Sequence, residues 1–439
     1  MSTSVPPLTP ARRPRKLTVA ERTLSTGLRV LVVRRASVPL VEVRLRVPFA
    51  GRSASHSAKA TVLGETLLSG TADLSTVDIA IALQEIGGSL NVSADPDRLL
   101  LSGNGLASGL PRLLEILAHV LTGASYPAED VNGERDRLVE RLRMARSQPG
   151  VIAREALLHR MYGDHPYSRE IPEADAVAAV TPAQLRSLHR SRVIPAGSTL
   201  VIVGDVTMQR ALDRVEAALS EWDGGGAAKG APRLPALEAG PIVLVDRPEA
   251  VQSNIRVGGP ALPRQDPEYA AMQLANLVYG GYFSSRLVEN IREEKGYTYS
   301  PHSVIEHSTA GSALVMEADV ATAVTAPALL EMRYELGRMA TLPVTAQELE
   351  SARQYAIGTL ALSIATQAGL ASMITALLAS GVDVDWLREH STRLGAVTIA
   401  GVQEQAARYL APSGLATVVV GDAGVVGPTL ATLDEVSTE

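Results

Sequence analysis

Arg292 and Tyr299, two side chains seven residues apart, could act together on a carbonyl oxygen. A guanidinium and a phenol both donate hydrogen bonds, and such donors stabilise the oxyanion that develops when a peptide carbonyl is attacked. Residues 269–299, which contain both, hold one of the chain's two Phe and five of its eleven Tyr. The pattern alone leaves a second interpretation open, in which the Arg pairs with a neighbouring Glu and the Tyr fills the core.

A helix and a strand are predicted to position this pair. Residues 284–295 place apolar side chains on one side of a helix and charged ones largely on the other, and Gly296 is predicted to end it. The residues that follow are rich in Tyr and β-branched side chains, which is typical of a strand. Arg292 is thus expected at the end of the helix and Tyr299 on the strand after it.

The composition is that of an ordinary soluble chain of two or three domains. It has 439 residues, of which 46% are hydrophobic and 20% charged, and a net charge of −6. This mildly acidic balance argues against nucleic acid or an anionic membrane as the main partner. The absence of Cys excludes disulfides, thiolate zinc sites and a thiol nucleophile.

Two segments raise the questions of targeting and membrane insertion. Residues 1–17 are Pro-rich and basic but lack the apolar core of a secretory signal, so we expect a disordered arm and a cytoplasmic protein. A targeting peptide is the alternative, and its helix would be broken by four prolines. Residues 354–382 carry no charge, but polar side chains and Gly369 interrupt them, so we expect a buried pair of helices.

An internal repeat divides the chain into two halves. Residues 179–205 match residues 396–422 at a constant offset of 217, with ten of twenty-seven positions identical. We therefore predict two tandem homologous domains, at residues 18–222 and 241–430, joined by a Gly- and Pro-rich linker at 223–240. Each domain is expected to be α+β, with a mainly antiparallel sheet packed against helices.

Four motifs carry more specific information. They are FAGRSASHSAKATVLGETLLSGT from residue 49, EIGGSLNVSADPD from residue 85, HPYSR from residue 165 and GGYFSSRLVENIREEKGYTYS from residue 280. Together with the repeat they resemble the pitrilysin/insulinase family of inverted zinc peptidases, over about residues 18 to 425. The resemblance implies that the chain forms half of a clam-shell chamber. It also implies that Arg292 and Tyr299 are the family's Arg/Tyr pair, which holds the substrate backbone and stabilises the tetrahedral intermediate.

The same resemblance implies that this chain has lost its metal. Family members bind zinc through the two His of H-x-x-E-H and a later Glu, and the Glu of the motif is the general base. Laid onto that pattern, Thr61 replaces the first His, Gly64 the base and Glu65 the second His. Arg141, seven residues after Glu134, stands where the third ligand should be. No metal or other cofactor is therefore expected in this chain.

Other possible ligand sets are poorly placed. His302 and Glu306 are expected on one face of a strand, with His307 on the opposite face. Glu155 and His159 share a helix face, which is typical of a surface pair. Neither group is expected to hold a metal ion.

The resemblance finally implies a division of labour between two chains. Some bacterial members of the family are heterodimers in which one chain keeps the zinc motif and its partner keeps the Arg/Tyr pair. This chain is expected to be the second kind: inactive alone, and part of a zinc metallopeptidase that cleaves peptides when a homologous zinc subunit joins it. The alternatives are a catalytically inert scaffold of the same fold and a substrate-capture subunit for leader or targeting peptides. The substrate and the partner chain are not identified by the sequence.

Overall fold

The computed structural model describes residues 16–439, so the predicted arm lies outside the described residues except for Lys16 and Leu17. The strands of the described part are β1 Val19–Thr23, β2 Arg29–Arg34, β3 Leu40–Pro48, β4 Ser89–Ala94, β5 Arg98–Leu106, β6 Thr199–Gly204, β7 Ile242–Asp246, β8 Gln252–Ala261, β9 His302–His307, β10 Ser312–Ala321, β11 Ala416–Gly421 and β12 Val436–Thr438. Its α-helices are α1 Ala54–Thr66, α2 Thr76–Glu85, α3 Leu110–Gly123, α4 Ala128–Ala145, α5 Pro149–Tyr162, α6 Ala174–Ala178, α7 Pro182–Arg192, α8 Met208–Ala218, α9 Tyr269–Asn276, α10 Arg286–Val288, α11 Thr325–Thr341, α12 Ala346–Ser363, α13 Gln367–Ala379, α14 Trp386–Ala396, α15 Ile399–Tyr409 and α16 Ala423–Leu430. Two π-helical segments, Leu277–Gly281 and Glu289–Glu294, extend α9 and α10.

The strands form two six-stranded sheets. The first has the order β1-β2-β6-β3-β5-β4 and the second β12-β7-β11-β8-β10-β9. Neighbouring strands are antiparallel, except that β2 pairs in parallel with β6, and β7 pairs in parallel with both β11 and β12. The predicted α+β architecture is confirmed. The second sheet continues past residue 430, where the domain was predicted to end. The prediction missed β12 because this short polar strand has no hydrophobic pattern.

The repeat in the sequence is also a repeat of elements. Helices α7 and α15 begin 217 residues apart, at Pro182 and Ile399, and strands β6 and β11 begin 217 residues apart, at Thr199 and Ala416. Helices α5 and α13 end at Tyr162 and Ala379, which are again 217 residues apart. Residues 223–241, between the two sheets, form neither helix nor strand.

The two halves exchange a helix. Helix α5, from the first half, packs on β8 and β11 of the second sheet, and α13, from the second half, packs on β3 and β6 of the first. Leu157 of α5 lies in a buried cluster with Val315 and Val418. On the other side, Ile374 of α13 shares a core with Val201. Each sheet therefore has its own core on one face and the other half's helix on the opposite face.

The alternation of side chains along the central strands fits this arrangement. In β3, Val43 and Leu45 point into the first core, and Arg44 points the other way, with Nε 3.3 Å from Ser372 Oγ of α13. In β8, Gly258 faces α5, where a Cβ atom would lie only 2.4 Å from Met161 Sδ. The glycine allows α5 to approach the strand closely.

Charged and polar contacts also join the halves. Arg154 of α5 forms a two-pronged ion pair with Glu306 of β9, with N–O distances of 2.9 and 2.7 Å. Asp97, in the turn between β4 and β5, accepts hydrogen bonds from the backbone N–H and hydroxyl of Thr309 at 2.9 and 2.6 Å. Such bidentate and charge-assisted bonds fix orientation as well as adding stability.

The charge-free stretch at residues 354–382 is shared by α12 and α13. Within residues 16–439, no single helix has the length and apolar character needed to cross a membrane; the α12–α13 pair reaches them only in combination, with a bend of 110° between its members.

A buried ion pair holds the helix that carries Arg292. Arg286 of α10 is buried and donates two hydrogen bonds to Glu348, from Nε at 2.6 Å and from Nη2 at 3.1 Å. Glu348 also completes the N-terminal capping box of α12 with Thr345. Burial acts to raise the pKa of Glu348, but the hydrogen bonds from Arg286 and Thr345 and the charge of Arg286 outweigh it and lower the pKa to about 2.

The helix exchange predicts that the two halves unfold together. The chain has two Trp, Trp222 in the first half and Trp386 in the second, so replacing either with Phe gives a fluorescent reporter for the other half. In each variant, we expect the fluorescence of the remaining Trp and the far-UV circular dichroism of the whole chain to give the same midpoint in urea. Leu157→Ala should lower both midpoints through a loss of about 2–4 kcal/mol in the free energy of unfolding. The exposed Leu330→Ala is the control; two separate midpoints would contradict the prediction.

The Arg286–Glu348 pair predicts a pH-dependent stability difference. Because the folded state lowers the pKa of Glu348, its stabilisation is present above the ordinary value of 4.5 and is lost as pH falls towards 2. Glu348→Gln should therefore lower the free energy of unfolding at pH 7 by about 1–2 kcal/mol, since the pair is only partly exposed, and by less at pH 3. Glu350→Gln, on the exposed side of α12, is the control for urea titrations at both pH values. An equal loss from Glu348→Gln at both would refute this account.

Candidate functional site

The segment that carries Arg292 is helical, but not in the predicted form. The helix begins at Arg286, two residues later than predicted, and from Glu289 to Glu294 its turns are π-helical. It ends as predicted at Gly296, which adopts a left-handed φ of 65° that favours glycine. The wider π turn lies beneath Arg292, and such turns are frequent at functional sites.

Tyr299 does not lie on the following strand, contrary to the prediction. Strand β9 begins at His302, which pairs with Glu317 at the end of its ladder with β10. Tyr299 lies in the loop before β9. The physical reason is Pro301, which has no N–H to donate to a ladder and so separates the loop from the strand.

The structure nevertheless brings Arg292 and Tyr299 together. The Arg292 Cζ lies 4.7 Å from the centre of the Tyr299 ring and 4.8 Å from the centre of the Phe283 ring, so that two aromatic rings flank the guanidinium. Both rings are well exposed, Tyr299 by 78% and Phe283 by 62%. The alternative in which Tyr299 fills the core is therefore wrong. Each cation–π contact contributes about 0.5–1 kcal/mol at an exposed position and restrains the guanidinium.

The remaining contact of Arg292 leaves its outer amino groups available. Its Nε lies 3.1 Å from Glu293 Oε1, so pairing with a neighbouring Glu is present as well. Among residues 16–439, neither Nη1 nor Nη2 has a hydrogen-bond partner. A guanidinium stays protonated under all ordinary conditions and can donate both of these groups to an incoming oxygen.

Phe283 is the member of this group that the sequence analysis missed. It lies within the motif at residue 280 and within the aromatic cluster, and both signals pointed to the stretch. Neither signal showed that Phe283 would be exposed and pack on Arg292, because that depends on the path of the chain between the two helical segments. We call Phe283, Arg292 and Tyr299 the aromatic–arginine group.

The positions that correspond to the metal site lie together in the first half, on α1 and α4. Arg141 of α4 donates from Nη1 and Nη2 to Glu134 Oε1, at 3.1 Å each, and its Nη2 lies 3.3 Å from Glu65 Oε1 of α1. The hydroxyl of Thr61 donates to the backbone carbonyl of Ser57 at 3.1 Å. The Arg141 guanidinium thus lies between carboxylates of both helices. We call the four residues Thr61, Glu65, Glu134 and Arg141 the arginine-filled centre.

In this centre the positive charge beside the carboxylates comes from the chain itself, from Arg141. Partial burial acts to raise the pKa of Glu134, but hydrogen bonds from Arg137 and Arg141 and their charges outweigh it, so that the pKa lies below its usual value. Glu134 is therefore ionised and its charge is compensated internally. Glu140, by contrast, is 71% exposed and pairs with Arg143.

The residues of the arginine-filled centre do not fit zinc. Zinc is bound by His nitrogens, thiolates and carboxylates, and a guanidinium repels it. At Gly64, a Cβ would come within 3.3 Å of the Ala94 backbone nitrogen, so the neighbouring strand crowds the position of the missing base. Nowhere within residues 16–439 do three His, Asp or Glu side chains come together in a way that could hold a metal ion.

The other possible ligands are dispersed. Glu306 is paired with Arg154, and His307 contacts the Ser312 and Tyr269 hydroxyls at 2.7 and 3.1 Å. Burial, with a contribution from the charge of Arg264, lowers the pKa of His307 to about 3, so it is neutral. His302 is exposed and Glu155 pairs with Arg146.

Two family models match consecutive segments of the chain. Residues 60–175 match the model of the family described as Insulinase (Peptidase family M16), and residues 179–355 match that of the Peptidase M16 inactive domain. The first segment contains the arginine-filled centre and the second contains the aromatic–arginine group.

Individual relatives carry related descriptions. An uncharacterized zinc protease of Streptomyces coelicolor is 28% identical over 298 residues, which are 65% of this chain and 64% of that protein. The alignment thus spans just under two thirds of that relative. A probable inactive metalloprotease of Bacillus subtilis is 26% identical over 221 residues, 48% of this chain and 50% of that protein.

The fold is shared with solved structures of the same family. A peptidase M16 inactive domain from Pseudomonas fluorescens superposes with a TM-score of 0.86 at 21% identity, covering 92% of this chain and 98% of that one. The two family matches occupy consecutive segments, and the resemblance predicted from the sequence motifs is confirmed. The chain belongs to the insulinase, or M16, family of peptidases, and its second segment is of the family's inactive type.

Proposed function

We propose that this chain is the non-catalytic subunit of a heterodimeric zinc metallopeptidase, and that Arg292 and Tyr299 act on substrate at the zinc centre of a homologous partner subunit. The observation that carries this proposal is the position of the Arg292 guanidinium, held between two exposed aromatic rings with its outer amino groups free. A second observation supports it: Arg141 occupies the centre where a catalytic chain of the family would hold its metal. The chain thus displays hydrogen-bond donors, while residues 16–439 contain no group of side chains that could hold a metal ion.

The geometry of the aromatic–arginine group suits stabilisation of an oxyanion. In the proposed complex, the partner's zinc supplies an activated water molecule for attack on the peptide carbonyl. Arg292 then donates hydrogen bonds to the carbonyl oxygen as negative charge develops on it, and the Tyr299 hydroxyl is a second donor. Donors that are already oriented need no reorganisation during the reaction, and this is why such groups contribute strongly to catalysis.

The exposed rings also suit binding of an extended peptide. Phe283 and Tyr299 offer apolar faces beside the donors, and a substrate side chain could pack on them while the backbone carbonyl meets Arg292. The complementary half of a clam-shell chamber would enclose the peptide and exclude water, which strengthens the hydrogen bonds within it. The catalytically inert scaffold remains the competing function, and the experiment below separates the two.

Substitutions at the aromatic–arginine group should reduce turnover without dissolving the pair. With a reconstituted heterodimer and a mixed peptide library, Arg292→Ala should lower kcat by about 100- to 1000-fold, the usual effect of removing one oxyanion donor. Tyr299→Phe, which keeps the ring against Arg292 and loses only the hydroxyl, should lower it by about 10- to 100-fold. The controls are Arg388→Ala and Tyr334→Phe at other exposed positions. Unchanged turnover in both site variants, with the heterodimer intact by gel filtration, would favour the scaffold.

The arginine-filled centre predicts the metal content. The chain alone should contain no stoichiometric zinc, and the active mixture should contain about one zinc per heterodimer, as expected for a single three-ligand catalytic site. Thr61→His, Glu65→His and Arg141→Glu, introduced together, should give the chain its own zinc, because α1 and α4 hold these positions side by side. Arg141→Glu alone is the control and should bind none. Stoichiometric zinc in the unmodified chain, measured by atomic absorption, would overturn the assignment.

A further inference from the structure

A cavity of 360 Å³ lies between the two halves, separate from both sites described above. The exchanged helices each provide part of its wall, with Leu158 and Tyr162 from α5 and Ala376 and Ala379 from α13. Tyr162 and Ala379 are counterparts in the internal repeat, so the cavity lies where the two halves meet symmetrically. Its volume is that of about a dozen water molecules, enough for an organic molecule of about ten non-hydrogen atoms.

Arg46 of β3 lines this cavity, and its guanidinium forms no ion pair or hydrogen bond with any of residues 16–439. Its side chain is only 9% exposed, and its Nε is fully buried without a hydrogen-bond partner. No carboxylate among residues 16–439 lies within 4 Å of its guanidinium, and no side-chain hydrogen bond from it is formed. Burial lowers the pKa of Arg46, which reflects the cost of keeping a charge there. The charges of Asp97 and Asp95 offset part of this cost, but a buried guanidinium without a direct ion pair is unusual, because such charges are normally paired.

The nearest carboxylates are already committed to other groups. Asp95 accepts hydrogen bonds from two backbone N–H groups and from Arg98 Nε at 2.8 Å. Asp97 accepts from the Tyr167 hydroxyl at 2.6 Å and from Thr309. Both carboxylates serve the turn between β4 and β5 and its contact with the second half, and neither forms an ion pair with Arg46.

A second arginine without an ion-pair partner also lines the cavity. Arg264, in the segment that follows β8, also lines the cavity and has no carboxylate within 4 Å among residues 16–439. The two glutamates of the lining, Glu170 and Glu306, share the single guanidinium of Arg154. His307 is uncharged there, as shown above. Of the three arginines and four carboxylates in the lining, Arg46 and Arg264, one from each half, form no ion pair among residues 16–439.

We propose that this cavity binds a small organic carboxylate, with its oxygens accepting hydrogen bonds from Arg46 and its apolar part against Leu158 and Tyr162. The planar fork of a guanidinium matches the two oxygens of a carboxylate, and the apolar wall favours a ligand with a carbon body over inorganic phosphate. The carboxylate can belong to a free organic acid or to the C-terminus of a short peptide. The proposal does not depend on the proposed function, since it concerns a cavity away from the aromatic–arginine group.

Occupation of this site joins the two halves. Arg46 belongs to the first sheet, and Arg264 and His307 belong to the second half, so a bound anion contacts both. A ligand that binds only this folded arrangement raises the midpoint of thermal unfolding as its concentration increases. The effect is measurable on the isolated chain, without any peptidase activity.

The test is calorimetric titration and thermal unfolding of the full chain with four probes: succinate, the dipeptide Ala-Leu, its C-terminal amide and inorganic phosphate. We expect saturable one-to-one binding, with a dissociation constant in the range of about 0.1–1 mM, for succinate, Ala-Leu or both, and a rise in the unfolding midpoint. Binding of succinate alone identifies a free acid, and binding of Ala-Leu but not its amide identifies a peptide C-terminus. Absence of saturation with both carboxylates, or tighter binding of phosphate, would overturn the proposal.

Variants locate the site. Arg46→Gln should weaken binding at least tenfold and Arg264→Gln by a smaller factor, whereas Arg388→Gln, outside the cavity, should bind like the unmodified chain. If Arg46→Gln does not fold, Ala376→Leu provides an independent test, because it keeps both arginines and fills part of the cavity from the partly exposed face of α13. Undiminished binding in Arg46→Gln, or in Ala376→Leu when only that variant folds, would place the ligand elsewhere and refute the assignment.

Discussion

The reciprocal packing of α5 and α13 is the contact on which the rest of the structure depends. Each sheet has one face covered by its own helices and the other covered by a helix from the opposite half. Neither sheet could bury both faces alone, and an uncovered apolar face would be exposed to water. The linker at residues 223–241 therefore joins two homologous units that complete each other, and the relative position of the aromatic–arginine group and the arginine-filled centre follows from this packing.

The exchange also explains the charged residues in the middle of the sheets. Val43 pairs with Ile202 in the first sheet, and Ile255 pairs with Val419 in the second. Val419 is the counterpart of Ile202 in the repeat, so Arg44 and Arg256 occupy equivalent positions. Both point towards the exchanged helix and both pair with a nearby carboxylate, Arg44 with Glu42 at 2.9 Å and Arg256 with Asp319 at 2.8 Å. The surfaces between the halves are thus partly polar, and this polarity gives the exchanged helices a defined position. Arg46, two residues further along β3 and on the same face, is the exception that pairs with no carboxylate among residues 16–439.

The sequence predicted features that depend on local pattern or on the repeat. It identified the repeat that contains α7, β6, α15 and β11, it predicted two homologous domains with one sheet each, and it identified Thr61, Gly64, Glu65 and Arg141 as a group. It did not predict which sheet α5 and α13 cover, because an apolar helix face does not specify its partner. The predicted strand at Tyr299 was wrong because Pro301 delays pairing. The sequence could not show that Arg46 lacks an ion pair, because this depends in part on the engagement of Asp97 by Tyr167 and Thr309, which lie far along the chain.

The close approach of α1 to β4 at Gly64 has a consequence for any attempt to build a metal site into this chain. A single substitution would not be enough: a side chain at residue 64 places its Cβ 3.3 Å from the Ala94 backbone nitrogen, and a His at residue 65 still faces the Arg141 guanidinium. None of these single substitutions would assemble three metal ligands. Metal binding by this chain therefore requires coordinated substitutions on α1 and α4, so the two helices must be redesigned as one unit.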